Sequence, residues 1–193
     1  MRRFKILGAL SAVLTLALTP AALAQKSDVL VMNQAKVVTD SKAGQSIQSQ
    51  LKTIGEAATT QLQSEGQKLQ TEGAQLQQTA ESLSKDDLQK RAQALAVKQQ
   101  GVQRLAQIRQ AEVAQAEAAA LAELSEALEP VVREIMKKKK AKMVLRRTDV
   151  AVMDDAVDIT DDVIKALDKK VTNIKVTKPD LIAQAKANAA ATQ

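Results

Sequence analysis

Leucine returns every seven residues at Leu62, Leu69, Leu76 and Leu83, with Gly66, Gly73 and Ala80 at the half-heptad positions between them. A seven-residue apolar repeat with small partners is the pattern of a helical seam. The run stops at Ser84-Lys85-Asp86-Asp87, where Ser84 suits a helix N-cap and Asp87 its N3 partner. Beyond it the seam returns in mirror order as Leu88, Ala92, Leu95, Val102 and Ala106. Folding the chain back near Lys85 and Asp86 makes facing positions sum to about 171, so that Leu76 meets Leu95, Leu69 meets Val102 and Ile47 meets Leu124. The spacing predicts an antiparallel helical hairpin over residues 44–129 with its turn at 84–87. A limb of about 37 residues at roughly 1.5 Å rise spans on the order of 55 Å. A compact domain of this chain length has a radius of only about 16 Å, so the hairpin must project as an arm.

Two seam features break the regularity. Arg109 falls opposite Leu62, and the apolar spacing Ile47, Leu51, Ile54, Ala58, Leu62 contains a stutter that relaxes the supercoil. Glycine inside a helix costs roughly 1 kcal/mol against alanine. Close helix approach accounts for Gly66 and Gly73 in this reading; for Gly55 and Gly101 it leaves open whether they loosen the arm.

Residues 1–24 read MRRFKILGALSAVLTLALTPAALA, a basic end, an apolar stretch and a small-residue ending. This predicts a secretory signal removed after Ala24, and hence a periplasmic protein, in preference to a retained membrane anchor. The signal carries three of the basic residues, so the +6 of the whole chain falls to about +3 in the mature part. Cysteine and histidine are absent and the single aromatic, Phe4, leaves with the signal. Without them no disulfide can form, and most nucleophiles, general bases and soft-metal ligands are missing. Stacking on aromatics, the usual route to single-stranded nucleic acid, is also excluded. We expect no catalytic residues, no cofactor and no nucleic-acid partner.

The segments flanking the arm predict a small body. Val29-Leu30-Val31-Met32 suits a buried strand, followed by a change to helix with Asp40 or Ser41 as the cap. After the arm, Pro130 interrupts the helix where its partner ends, marking the junction of arm and body. Strands are predicted at 143–147 and 150–153, then a helix from Thr160. The domain plan is thus a signal at 1–24, a first body segment at 25–43, the arm at 44–129, a second body segment at 130–172 and a disordered alanine-rich tail at 173–193. Val29, Leu30, Val31, Val144, Leu145, Val150 and Val152 are the expected body core. So few apolar residues bury too little in one copy, and an oligomer that pools its strands would solve this.

Two polar features and the apolar surface of the arm are the candidate sites. Lys137, Lys138, Lys139, Lys140 and Lys142, with Arg146 and Arg147, form a cationic cluster that can meet anionic lipid or lipopolysaccharide. Cations at a helix C-terminus are its simpler reading. Asp154, Asp155, Asp158, Asp161 and Asp162 lack the alternating loop and closing glutamate of a calcium site, and are read as acids at a helix start rather than metal ligands. On the arm, Leu62, Leu69, Leu76, Leu83, Leu88, Leu95 and Val102 form the seam, and exposed Ala94 and Val97 are the candidate contacts for a bound chain.

The pattern resembles the Skp/OmpH family of periplasmic chaperones. The resemblance rests on VLVMNQAKVVTDSKAGQ, the long Gln-rich hairpin, LEPVVREIM before the lysines, and MVLRR with VAVMDDAVDITDDVIKAL, over roughly residues 28–171. It implies an α+β fold in which three protomers pool strands into a small β-barrel body from which three helical arms hang. It further implies an ATP-independent holdase that encloses unfolded outer-membrane β-barrel proteins. The rival readings are a structural coiled-coil spacer of the envelope and an anionic-lipid binder.

Overall fold

The computed structural model describes residues 28–191; the predicted signal, 1–24, lies outside them. Strand β1 (Val29–Met32) leads through Asn33 into helix α1 (Gln34–Asp40), and Ser41 separates this from α2 (Lys42–Thr79). A short 3-10 turn (Ala80–Ser82) precedes α3 (Lys85–Lys139), after which come β2 (Met143–Arg146), two further 3-10 turns, α4 (Thr160–Lys170) and α5 (Leu181–Ala191).

The starts of α1, α2 and α3 follow side-chain capping. Asn33 Oδ1 accepts from the Lys36 N–H at 3.0 Å, and Ser41 Oγ accepts from the Gly44 N–H at 3.1 Å, so Ser41 rather than Asp40 caps α2. At the arm tip, Ser84 Oγ accepts from the Asp87 N–H at 3.1 Å and donates to Asp87 Oδ2 at 2.7 Å. This differs from the capping box read from the sequence, since the Asp87 carboxylate meets the serine hydroxyl. α3 runs unbroken through Pro130 and stops where Lys140 adopts a left-handed φ of 57°.

The α+β barrel body expected from the resemblance is not formed. The sheet has two strands, β1 and β2, parallel and open, with Val29 opposite Met143 and Met32 opposite Arg146. The third strand predicted at 150–153 is replaced by a 3-10 turn at Arg147–Asp149 and irregular chain. Arg146 Nε to Asp149 Oδ2 at 2.9 Å and Arg147 Nη1 to the Val150 carbonyl at 2.6 Å hold that turn. The other side of β1 is instead met by a single parallel bridge from Val31 to Asp158, where the Ile159 N–H donates to the Val31 carbonyl at 2.9 Å.

Helices supply most of the body core. Leu30, Val37, Ile47, Leu124, Leu128, Val131, Ile159, Val163 and Leu167 are buried in one cluster. The same cluster contains Ile174 and Val176, both from the segment read as a disordered tail. Residues 172–180 form neither helix nor strand, and 181–191 are helical. This burial comes from two isolated apolar residues, a pattern too short for periodicity to flag.

Candidate binding arm and its base

The two arm helices pair in the register read from the mirror repeat. Glu72 and Lys98 meet across the seam at 2.6 Å, Gln61 Oε1 accepts from Arg109 Nε at 3.0 Å, and a Cβ at Gly73 would lie 3.7 Å from Leu95 Cδ2. Leu62, Leu69, Leu76, Leu83, Leu88, Leu95 and Val102 are all half-buried along this contact. A hairpin of two helices has only one partner for each face, so its seam stays partly wet. Gly66 and Gly73 are not demanded by the approach of the helices: a Cβ at Gly66 would meet nothing within 4 Å and the contact at Gly73 is ordinary.

Arg109, which reads as a seam defect in the sequence, has a buried acidic partner. Its Nη1 lies 2.6 Å from Glu112 Oε2, and Glu112 is fully buried. The same carboxylate receives Lys178 Nζ at 2.7 Å and the Leu181 N–H at 3.1 Å. Burial alone would push the Glu112 carboxyl up, but the Lys178, Arg109 and Leu181 hydrogen bonds outweigh it and hold it below the ordinary carboxylate value. No local pattern marks this cluster, since Leu181 lies 69 residues from Glu112.

Ala94 and Val97 sit on the outer surface near the tip, Val97 with 67% of its area exposed. Ala94 borders a shallow groove with Leu76 and Leu95 on its floor and Glu72, Arg91 and Lys98 on its rim. In the body, Leu30 and Val31 are buried, Val29, Val144 and Val150 are half-buried, and Leu145 and Val152 face outward. Met143, Leu145 and Val152 are the large apolar side chains that the body leaves exposed among the described residues.

The cationic cluster is partly neutralised from within. Lys139 pairs with Asp162 at 3.0 Å, Lys142 with Asp28 at 2.7 Å and Arg146 with Asp149 at 2.9 Å. Hydrogen bonding to Asp28 raises the Lys142 pKa above its usual value. Among the described residues Lys137, Lys138 and Lys140 have no carboxylate within ion-pair distance, and all three are exposed at the end of α3. Arg147 is spent on the Val150 carbonyl. The aspartates following β2 are used locally: Asp154 caps Ala156, Asp158 accepts from Thr160, Asp161 pairs with Lys36 at 2.7 Å and Asp162 with Lys139.

Comparison with known proteins decides the family. Residues 28–167 match the family described as "Outer membrane protein (OmpH-like)". The chain belongs to the OmpH-like family. A crystal structure from Caulobacter crescentus CB15, provisionally described as an outer membrane chaperone (OmpH-like), superposes with a TM-score of 0.76 at 25% identity. It covers 92% of this chain and 98% of its own. No match was found among curated proteins. OmpH-like proteins are periplasmic chaperones rather than enzymes, and both the compartment and the non-catalytic class hold for this member.

Proposed function

We propose that this OmpH-like protein is an ATP-independent holdase that keeps unfolded outer-membrane β-barrel proteins from aggregating by enclosing them between arms. The observation that carries this reading is the arm itself. From Lys42 to Thr79, α2 is 38 residues long, about 57 Å at 1.5 Å per residue. Ile47 on α2 and Glu112 on α3 are the outermost fully buried residues, and everything towards the tip is half-buried or exposed. A projecting limb with a wet seam, shallow mixed grooves and exposed Val97 suits many weak contacts with an extended chain of no fixed shape.

Enclosure requires more than one arm, and the self-partner is proposed as two further copies, a trimer, in line with the family resemblance. Met143, Leu145 and Val152 offer the outward apolar surface for such contact. The light-scattering test dilutes an outer-membrane β-barrel protein from urea into buffer with or without residues 25–193. Suppressed aggregation near one trimer per client, without nucleotide, is the expected result. Undiminished aggregation across an excess of chaperone would overturn the holdase reading and favour a structural spacer.

A further inference from the structure

Residues 172–181 form a strap that leaves α4 and climbs the base of the arm. It is fixed at two heights. At the lower one, the Gln50 side-chain amide on α2 reads the strap backbone twice: Nε2 donates to the Ile174 carbonyl at 2.7 Å and Oε1 accepts from the Val176 N–H at 3.0 Å. Between and beyond these bonds Ile174 and Val176 turn into the core while Lys175 and Thr177 face water. At the upper one, the buried Glu112 carboxylate on α3 takes Lys178 and the Leu181 N–H, and Arg109 ties it across to Gln61.

The two fixings lie on opposite sides of a weak point. Arg109 opposite Gln61 sets the helix register, which puts Glu112 level with about residue 58 of α2. Gly55 therefore sits between the heights of Gln50 and Glu112. A Cβ at Gly55 would touch nothing within 4 Å, so packing does not require the glycine. Its effect on α2 is a local loss of helix stability. On the facing helix, Glu112, Ala116, Ala120 and Leu124 are buried at every fourth position, and towards the tip from Glu112 full burial ceases. The core thus extends up the arm as far as the strap does, and no farther.

We propose that the strap is a splint: it stiffens the arm across Gly55, and its release frees the arm to pivot there. Docked, it joins α2 on the body side of the glycine to α3 on the tip side, so bending at Gly55 must break the Gln50 or the Glu112 contacts. Undocked, the arm bends above Ile47 and Leu124, where body packing holds both helices. This device sets how wide the arm can swing and stands independently of what the arm carries.

Hydrogen exchange followed by mass spectrometry on residues 25–193 tests it, using Gln50→Ala and Glu112→Gln beside the unaltered chain. In each variant the strap, 172–181, should exchange at least about tenfold faster. Segments 51–60 and 110–119 should accelerate with it, while α4 and the tip stay unchanged. A strap that loosens without effect on 51–60 and 110–119 would overturn the splint. So would a strap that stays protected in both variants, or acceleration spread equally into α4, which would make these residues general core.

Discussion

A side chain at Gly44 would place its Cβ 1.8 Å from the carbonyl oxygen of Val38. The backbone ending α1 lies directly on the first turn of α2, and this contact sets the angle at which the arm leaves the body. Backbone cannot yield as a flexible side chain can. Gly44→Ala is expected to cost about 3 kcal/mol, at the upper end of overpacking effects, read as a lowered urea midpoint by circular dichroism. A midpoint unchanged within error would mean that the α1–α2 corner is freer than its geometry states.

Gly66 and Gly101 give the opposite sign. A Cβ at either position meets nothing within 4 Å, so alanine gains helix propensity without a clash. Each substitution should stabilise the arm by roughly 0.5–1 kcal/mol. Slower hydrogen exchange in peptides spanning the altered position is the readout; faster exchange would show that the glycine answers a constraint outside this chain.

The strap has a pH limit set by Glu112. Its carboxyl is held below the ordinary value of 4.5, so the stabilisation is complete above that value and is lost as pH falls through the lower folded-state value. Strap protection should be flat from pH 7 to pH 5 and collapse only in stronger acid. Exchange rates corrected for intrinsic chemistry would follow it. Loss already between pH 6 and 5 would exclude Glu112 as the controlling group.

At the arm tip, Ser84→Ala removes both the acceptor for the Asp87 N–H and the hydroxyl donor to its carboxylate. The loss of such a cap costs about 1 kcal/mol. The expected outcome is faster exchange over residues 84–88 with little change in the melting of the body, because the tip shares no buried residue with it.

Val97→Asp bears on the holdase proposal. Val97 is 67% exposed, so its replacement should leave thermal stability within about 0.5 kcal/mol. Client affinity should fall severalfold, since a buried valine contributes on the order of 1.5 kcal/mol and the aspartate adds a charge. Titration of a labelled unfolded outer-membrane protein measures this, and unchanged affinity would remove Val97 from the contact surface.

The arm was legible in the sequence because its information is local and repeated: leucines at heptad spacing announce the helices, and their mirror order announces the fold-back. Ser41 and Ser84 were visible as caps for the same reason. The body was harder. Val150 to Met153 has strand composition, yet the place beside β1 is taken by Asp158 and Ile159, a choice made by tertiary packing and not by propensity. The strap was invisible because Gln50 and Ile174 are 124 residues apart and neither carries a signal alone. Arg109 reads only as a fault in the seam, since its buried partner Glu112 lies in an otherwise ordinary helical stretch.

β1 and β2 are neighbours in a parallel sheet, yet Val29 and Met143 are separated by the whole arm. Bringing such distant strands together through an unstructured loop is entropically costly and slow. The hairpin removes most of that cost if it zips first from the tip at Ser84, because each closed turn brings Lys42 and Lys139 closer. The arm is then a folding guide as well as a limb: the strand that comes first in the chain has to wait for a late one, and the zipped helices deliver it.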